Sequence, residues 1–194
     1  MPLRREQVVE AALELLDEVG LDAFTTRALT DRLGVQRGAL YWHVKSKQEL
    51  LAAVTALVLR PVFADPEPDR DTDWADDLVE YAHRLRDAML AHRDGARLVA
   101  AHVTVNHSGV EQMARGLDRF ARQGIPMPVA ARWGDIVSSY VTGYVLQEQT
   151  ARADAALEPW FPDGHPSSAE TFADSVATIV LGMRAEAATL TPAG

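Results

Sequence analysis

The 194-residue chain reads as all-α, a compact N-terminal trio of helices joined by a connecting helix to a larger helical C-terminal domain. Three observations predict this. Apolar residues recur at steps of three and four along almost the whole length, and nowhere do they alternate as a half-buried strand would. The tract PVFADPEPDRDTD at 61–73 combines three prolines with five acids and sets a boundary near Pro61, dividing the chain into 1–60 and 61–194. Charge divides there too. Residues 1–60 hold eight basic and eight acidic side chains, and the remainder holds eleven against twenty, which carries all of the net charge of -9.

In the first part, Val9, Ala12, Leu13 and Leu16 mark a helix from about Arg4 to Val19, stopped by Gly20 where a left-handed residue is expected. Thr25 or Thr26 caps a short helix carrying Leu29 and Leu33, which Gly34 breaks; Gln36 to His43 follows as a third, with Leu40 and Tyr41 inward. Two short helices around a glycine turn have helix-turn-helix spacing. Leu29, Leu33, Val35, Leu40 and Val44 are its expected core. The run Ser46-Lys47-Gln48-Glu49 is a capping box, from which the connecting helix continues through Leu50, Val54 and Val58 to Pro61.

Beyond the boundary, Trp74, Leu78, Tyr81, Leu85 and Met89 mark a long helix, His92 to Gly95 a turn, and Leu98, Val99 and Val103 a short helix. Ser108 opens another with Met113, Leu117 and Phe120 inward, ending at Gly124. After Pro126 and Pro128 comes a helix whose apolar residues, Trp133, Ile136, Val137, Tyr140, Val141, Tyr144 and Val145, form a stripe too wide for one packing partner. The proline-rich loop ALEPWFPDGHPSS precedes a last helix bearing Phe172, Val176, Ile179, Val180 and Met183.

Several function classes fall away. With no cysteine, thiol nucleophiles, zinc ribbons and redox pairs are impossible. No stretch approaches the roughly 18 apolar residues that span a bilayer, and MPLRREQVVE lacks an apolar signal core, so a soluble cytoplasmic protein with no membrane partner is expected. Phosphate loops, nucleophile elbows, H-E-x-x-H and dinucleotide fingerprints are absent. His102 and His107 lie on different faces of a helix, and the neighbouring carboxylates Asp76 and Asp77, like Asp17 and Glu18, diverge. Neither catalysis, nor a cofactor, nor a metal is expected.

Residues 25–47 carry Arg27, Arg32, Arg37, Lys45 and Lys47 against Asp31 alone. Such a stretch is either a solvated surface or a phosphate-binding face, since contacts with nucleic acid are local even on an acidic protein. The run TTRALTDRLGVQRGALYWHVKSKQELL resembles the DNA-binding domain of the tetracycline-repressor (TetR) family, matching its T-x-x-x-L-x-x-x-L-G-V-x-x-x-x-L-Y-x-H pattern and the lysine that follows. Similarity is weaker beyond residue 61, where HRDGA at 92–96, RQG at 122–124 and GYVLQEQ at 143–149 still resemble the family core.

The resemblance implies a homodimeric regulator that binds double-stranded operator DNA and is released by a small ligand. The third helix then enters the major groove by its first turn, Gln36, Arg37, Gly38 and Ala39, where small residues let the backbone approach and Arg37 offers a bidentate pair to guanine. Thr25, Thr26, Arg27, Tyr41, His43 and Lys47 are expected on the same DNA-binding face, chiefly as phosphate contacts. Trp42 either packs on the sugar-phosphate or fills the core. The last two long helices would pair as a four-helix bundle, with Val176, Ile179, Val180 and Met183 as its seam. In the family core a magnesium-binding histidine falls at Val99, and the acidic residue supporting the metal falls at Gln147; neither can serve a hard cation. Positions holding a drug's ring edge become Tyr81, Leu85 and Gly116. The expected effector site is therefore apolar and metal-free, lined by those three with Val99, Met113, Ile136, Val137 and Tyr140, and His102 as its hydrogen-bonding group. It suits a neutral hydrophobic, aromatic or polyketide-like molecule. The alternative is a helical regulator or adaptor without a small-molecule effector, these residues being plain core.

Overall fold

The computed structural model describes residues 3–64, 72–102, 118–153 and 169–190. They form α1 (Arg5–Val19), α2 (Thr26–Leu33), α3 (Arg37–His43), α4 (Lys47–Phe63), α5 (Trp74–Leu90), α6 (Gly95–His102), α7 (Met127–Ala153) and α8 (Ala169–Ala187), with a further helical stretch over 118–122. No strand occurs among the described residues, and no helix among them is long and apolar enough to cross a membrane. Two compact units result, Met1–Pro61 with Ala88–Thr104, and Val62–Asp87 with Val105–Gly194.

Helix ends in the first unit follow their caps. Thr25 accepts a bond from the Ala28 N–H at 3.1 Å and so starts α2; Gly34, at φ 65 and ψ 30, stops it. The Gly34 and Val35 N–H groups bond back to Asp31 and Thr30, closing the helix end and leaving three residues before α3. Gln36 is the N-cap of α3 rather than its first residue. Ser46 Oγ accepts from the Glu49 N–H at 3.0 Å, while the Glu49 carboxylate reaches the N–H of Lys45 at 2.8 Å, a capping box shifted by one residue. α4 runs past Pro61 to Phe63, because a proline in the last turn forfeits one hydrogen bond without stopping the two residues beyond it.

The core of this unit gathers Val8, Ala12 and Leu16 of α1 with Phe24, Leu29, Leu40, Val44, Leu50 and Val54, each at most 2 % exposed, and it includes Leu98 of α6. Each of the valine, leucine and phenylalanine side chains among them contributes about 1.5–3 kcal/mol of burial. Leu33 and Val35, expected as core, are only half-buried, and Tyr41, expected inward, is exposed because α3 is a single-sided helix whose one fully buried residue is Leu40.

The segment 92–97 is fastened to the end of α1 and the loop after it. Asp17 accepts from the Arg93 N–H and bonds His92 Nδ1, both at 2.9 Å; Asp94 accepts from the Leu21 N–H at 2.9 Å; and Arg97 pairs with Asp22 at 2.8 Å. Gly95 is required there, since a Cβ would meet the Met89 carbonyl oxygen at 2.1 Å.

In the second unit, Trp74 of α5 stacks on Trp133 of α7 at 4.7 Å, and the Trp133 indole N–H donates to Glu186 of α8 at 2.9 Å. Arg86 of α5 makes a buried bidentate pair with Glu148 of α7, at 2.8 and 3.1 Å, and lies 5.2 Å from the Phe172 ring of α8. One side of α7 is therefore core: Trp133, Val137, Val141 and Val145 are at most 1 % exposed. On the other side Ile136 and Leu146 are exposed. The stripe expected as a dimer seam behaves differently. Val176, Val180 and Met183 are buried in their own unit and Ile179 is half-buried, whereas Leu181 is 68 % exposed. Two faces of a helix both rich in small and apolar residues are not told apart by period alone.

Candidate functional site

The start of α2, the whole of α3 and the start of α4 carry the expected DNA-binding residues, all within the first unit. Thr25 is exposed, and because its oxygen accepts the capping bond its hydroxyl proton stays available to an acceptor. Thr26 is half-buried as the first residue of α2, and the Arg27 side chain is 87 % exposed, 4.0 Å from Asp31. Gln36 and Arg37 are exposed, Ala39 is half-buried, and a Cβ on Gly38 would meet nothing within 4 Å. The opening turn of α3 thus presents a long cation beside a bare stretch of backbone. Tyr41 is 43 % exposed and His43 half-buried. Trp42, at 89 % exposure, fills no core, which removes one of its two readings. The Lys47 ammonium donates to the Phe24 carbonyl at 2.8 Å and sits 5.4 Å from the Phe24 ring, setting the starts of α2 and α4 side by side.

The expected effector residues are divided. Val99, 6 % exposed, and His102, half-buried, lie on α6 in the first unit. His102 Nδ1 is buried with no hydrogen-bond partner, and burial, aided by the Lys47 charge, pushes its imidazole below the ordinary value. Met113 and Gly116 lie outside the described residues. In the second unit, Leu85 and Val137 are buried, but Ile136 is 41 % exposed on the outer side of α7 and lines no interior, one helical step having carried it past the core-facing Val137. The Tyr140 hydroxyl is buried without a partner, its ring 6.1 Å from Phe172 and 5.7 Å from Tyr144.

Tyr81 has a defined polar arrangement. Its hydroxyl lies 2.9 Å from Ser138 Oγ, and Ser138 donates its single proton to the Gly134 carbonyl at 2.7 Å, so Tyr81 is the donor of the pair and keeps acceptor capacity. Burial pushes the Tyr81 phenol above its ordinary range. The Phe63 ring stands 6.4 Å away. Phe63 and Ser138 were not legible as site residues: one lies in the proline-rich tract, and the other reads as a polar break in the α7 stripe.

A magnesium ion has no fitting ligand set at the family positions. Val99 is a buried side chain without a donor atom, Gln147 is neutral and exposed, and both carboxylate oxygens of the adjacent Glu148 are bonded to Arg86. Among the described residues no group of three or more His, Asp or Glu side chains is gathered to hold a metal.

Residues 8–54 match the family model described as bacterial regulatory proteins, tetR family, and residues 66–185 match that of the tetracyclin repressor-like C-terminal domain. The tetracycline repressor protein class G of Vibrio anguillarum is 39 % identical over 173 residues, 88 % of this chain and 80 % of its own. Among solved structures, a TetR variant from Acinetobacter baumannii AYE in complex with minocycline is similar at TM-score 0.81 and 33 % identity, covering 95 % of this chain and 98 % of its own. ActR of Streptomyces coelicolor in complex with actinorhodin follows at TM-score 0.77 and 31 % identity, covering 95 % and 97 %. With an exposed helix-turn-helix face at one end and both family models matched, the chain belongs to the TetR family of bacterial transcriptional regulators.

Proposed function

We propose that the chain is a repressor that binds a palindromic operator as a homodimer and is released by a small apolar or aromatic effector without metal. The observation that carries DNA binding is the opening turn of α3, where exposed Arg37 adjoins the unobstructed Gly38 and fits bidentate readout of guanine. Thr25, Thr26, Arg27, Gln36, Ala39, Tyr41, Trp42, His43 and Lys47 complete the contact face, chiefly against phosphate and sugar. One reading helix buries too little surface for a tight operator complex, so two-fold pairing is needed. The outer sides of α7 and α8, with Ile136, Leu146 and Leu181 exposed at 41 %, 38 % and 68 %, supply an apolar face for it.

For the effector, the second unit offers Tyr81, Leu85, Val137 and Tyr140, with Ser138 and Phe63 beside Tyr81. The unpartnered Tyr140 hydroxyl and the acceptor left on Tyr81 suit a ring system with a few polar edge groups. The minocycline and actinorhodin complexes of the similar proteins support a polycyclic occupant, while Val99 and Gln147 argue against a magnesium chelate. Fluorescence anisotropy on a duplex from the region adjoining the chain's own gene tests the reading. Binding is expected, unaffected by tetracycline with magnesium and abolished on adding an uncharged polycyclic quinone in the presence of a chelator. No retention of any such duplex refutes the repressor; release by tetracycline that a chelator abolishes refutes the metal-free effector.

A further inference from the structure

Arg4 and Arg5, at the start of α1, take no part in the DNA-binding face formed by α2, α3 and the start of α4. The Arg5 guanidinium lies 3.8 Å from Glu49 of α4, with half its side chain exposed. Glu49 in turn holds the N–H of Lys45, and Lys47 of the same turn bonds the Phe24 carbonyl just before the cap of α2. The starts of α1, α2 and α4 therefore meet at one edge of the first unit. Arg4, Arg5, Lys45 and Lys47 are all exposed there, against the two acids Glu6 and Glu49. Further along α1, Glu10 is exposed one turn beyond Glu6, while Glu14 and Glu18 are both bonded to Arg32 and Asp17 to the 92–93 turn. The basic residues thus collect where α1 begins, on the side of Lys47 and Thr25.

We propose that Arg4 and Arg5 are a second DNA contact, binding backbone phosphates that flank the bases read by α3. Exposed guanidinium groups at one helix start match a polyanion, and contacts with phosphates add affinity without adding sequence preference. This rests on the proposed DNA binding by α3.

Because phosphate contacts are independent of sequence, the test needs no operator. Binding of the full chain to a mixed-sequence duplex of about 30 base pairs is measured by anisotropy as salt is raised. The double variant Arg4→Gln, Arg5→Gln is expected to bind about three- to tenfold more weakly at 0.1 M salt, with the salt slope reduced by about 0.9 for each phosphate that is no longer neutralised. Arg4→Lys with Arg5→Lys should restore most of both. A wild-type chain that shows no salt-dependent binding overturns the DNA-binding reading and this inference with it. Wild-type binding with an unchanged slope in the double variant overturns this inference alone. Should removal of the Arg5 to Glu49 pair unfold the double variant, as read by helical circular dichroism, Arg4→Gln by itself decides, again by its slope.

Discussion

Gly38 and Gly95 are both helical, yet opposite constraints hold them. At Gly38 a methyl group meets nothing in the free protein, and alanine is the better helix former by roughly 0.5–1 kcal/mol. Gly38→Ala is therefore expected to raise the melting temperature slightly while weakening operator binding, because the added methyl points where α3 is proposed to approach the bases. Parallel melting and anisotropy measurements check it; unchanged affinity would remove Gly38 from the face. At Gly95 the methyl collides with the Met89 carbonyl at 2.1 Å, so Gly95→Ala should lose about 1–3 kcal/mol in denaturant unfolding. Arg37 is exposed, and its proposed role is on DNA alone. Arg37→Ala should leave stability unchanged, lose roughly 1–3 kcal/mol of operator affinity and relax preference at one base.

Among the elements, α5, α7 and α8 are joined by a buried ion pair. Arg86 and Glu148 are 9 % and 5 % exposed, so removing the arginine leaves the Glu148 carboxyl buried without the bidentate partner of its oxygens. Arg86→Ala should cost about 3–5 kcal/mol, whereas Arg86→Met with Glu148→Leu should recover most of that, a contrast that chemical denaturation resolves. On α8, the stripe that periodicity singled out is buried and Leu181 faces outward, so the proposed pairing face moves to Leu181. Sedimentation of Leu181→Asp is expected to give folded monomer; an intact dimer would place the pairing face elsewhere. The helix-turn-helix was legible nearly to the residue, because Thr25, Gly34 and Ser46 act on their own neighbours. The face of α8 was not, because Val176, Val180 and Met183 form a good stripe whichever partner covers them, and only packing shows that it is their own unit.

At the scale of the whole molecule, stability depends on pH through His102. Burial, with the Lys47 charge second, holds its imidazole below the ordinary value of about 6.5, so the unfolded chain binds the proton more readily than the folded one. Its contribution is complete above about pH 6.5 and is lost as pH falls from there through the lower folded value. The melting temperature should decline over that window, and His102→Gln should flatten the decline; an identical profile in the variant would exclude His102 as the cause. Asp22 and Glu186 act in a separate, more acid range, because hydrogen bonds from Arg97 and from Arg132 hold their carboxyls below the usual values. Contiguous division at residue 61 was all the sequence could offer about long-range organisation. Asp17 and His92 lie 75 positions apart, and no local pattern announces that they meet.

That meeting also orders events during synthesis. The DNA-binding unit is not finished when its own helices α1 to α4 have left the ribosome, because Leu98 still has to enter its core and Asp17, Leu21 and Asp22 still lack their partners at 92–97. At 5–20 residues per second, elongation from Pro61 to Thr104 takes about 2–9 s, during which the head is without part of its core. A chain cut short in that interval has an intact α3 sequence but an incomplete support for it. Translation products that end before about residue 104 should therefore be poor competitors for the operator, although they carry every residue of α2 and α3.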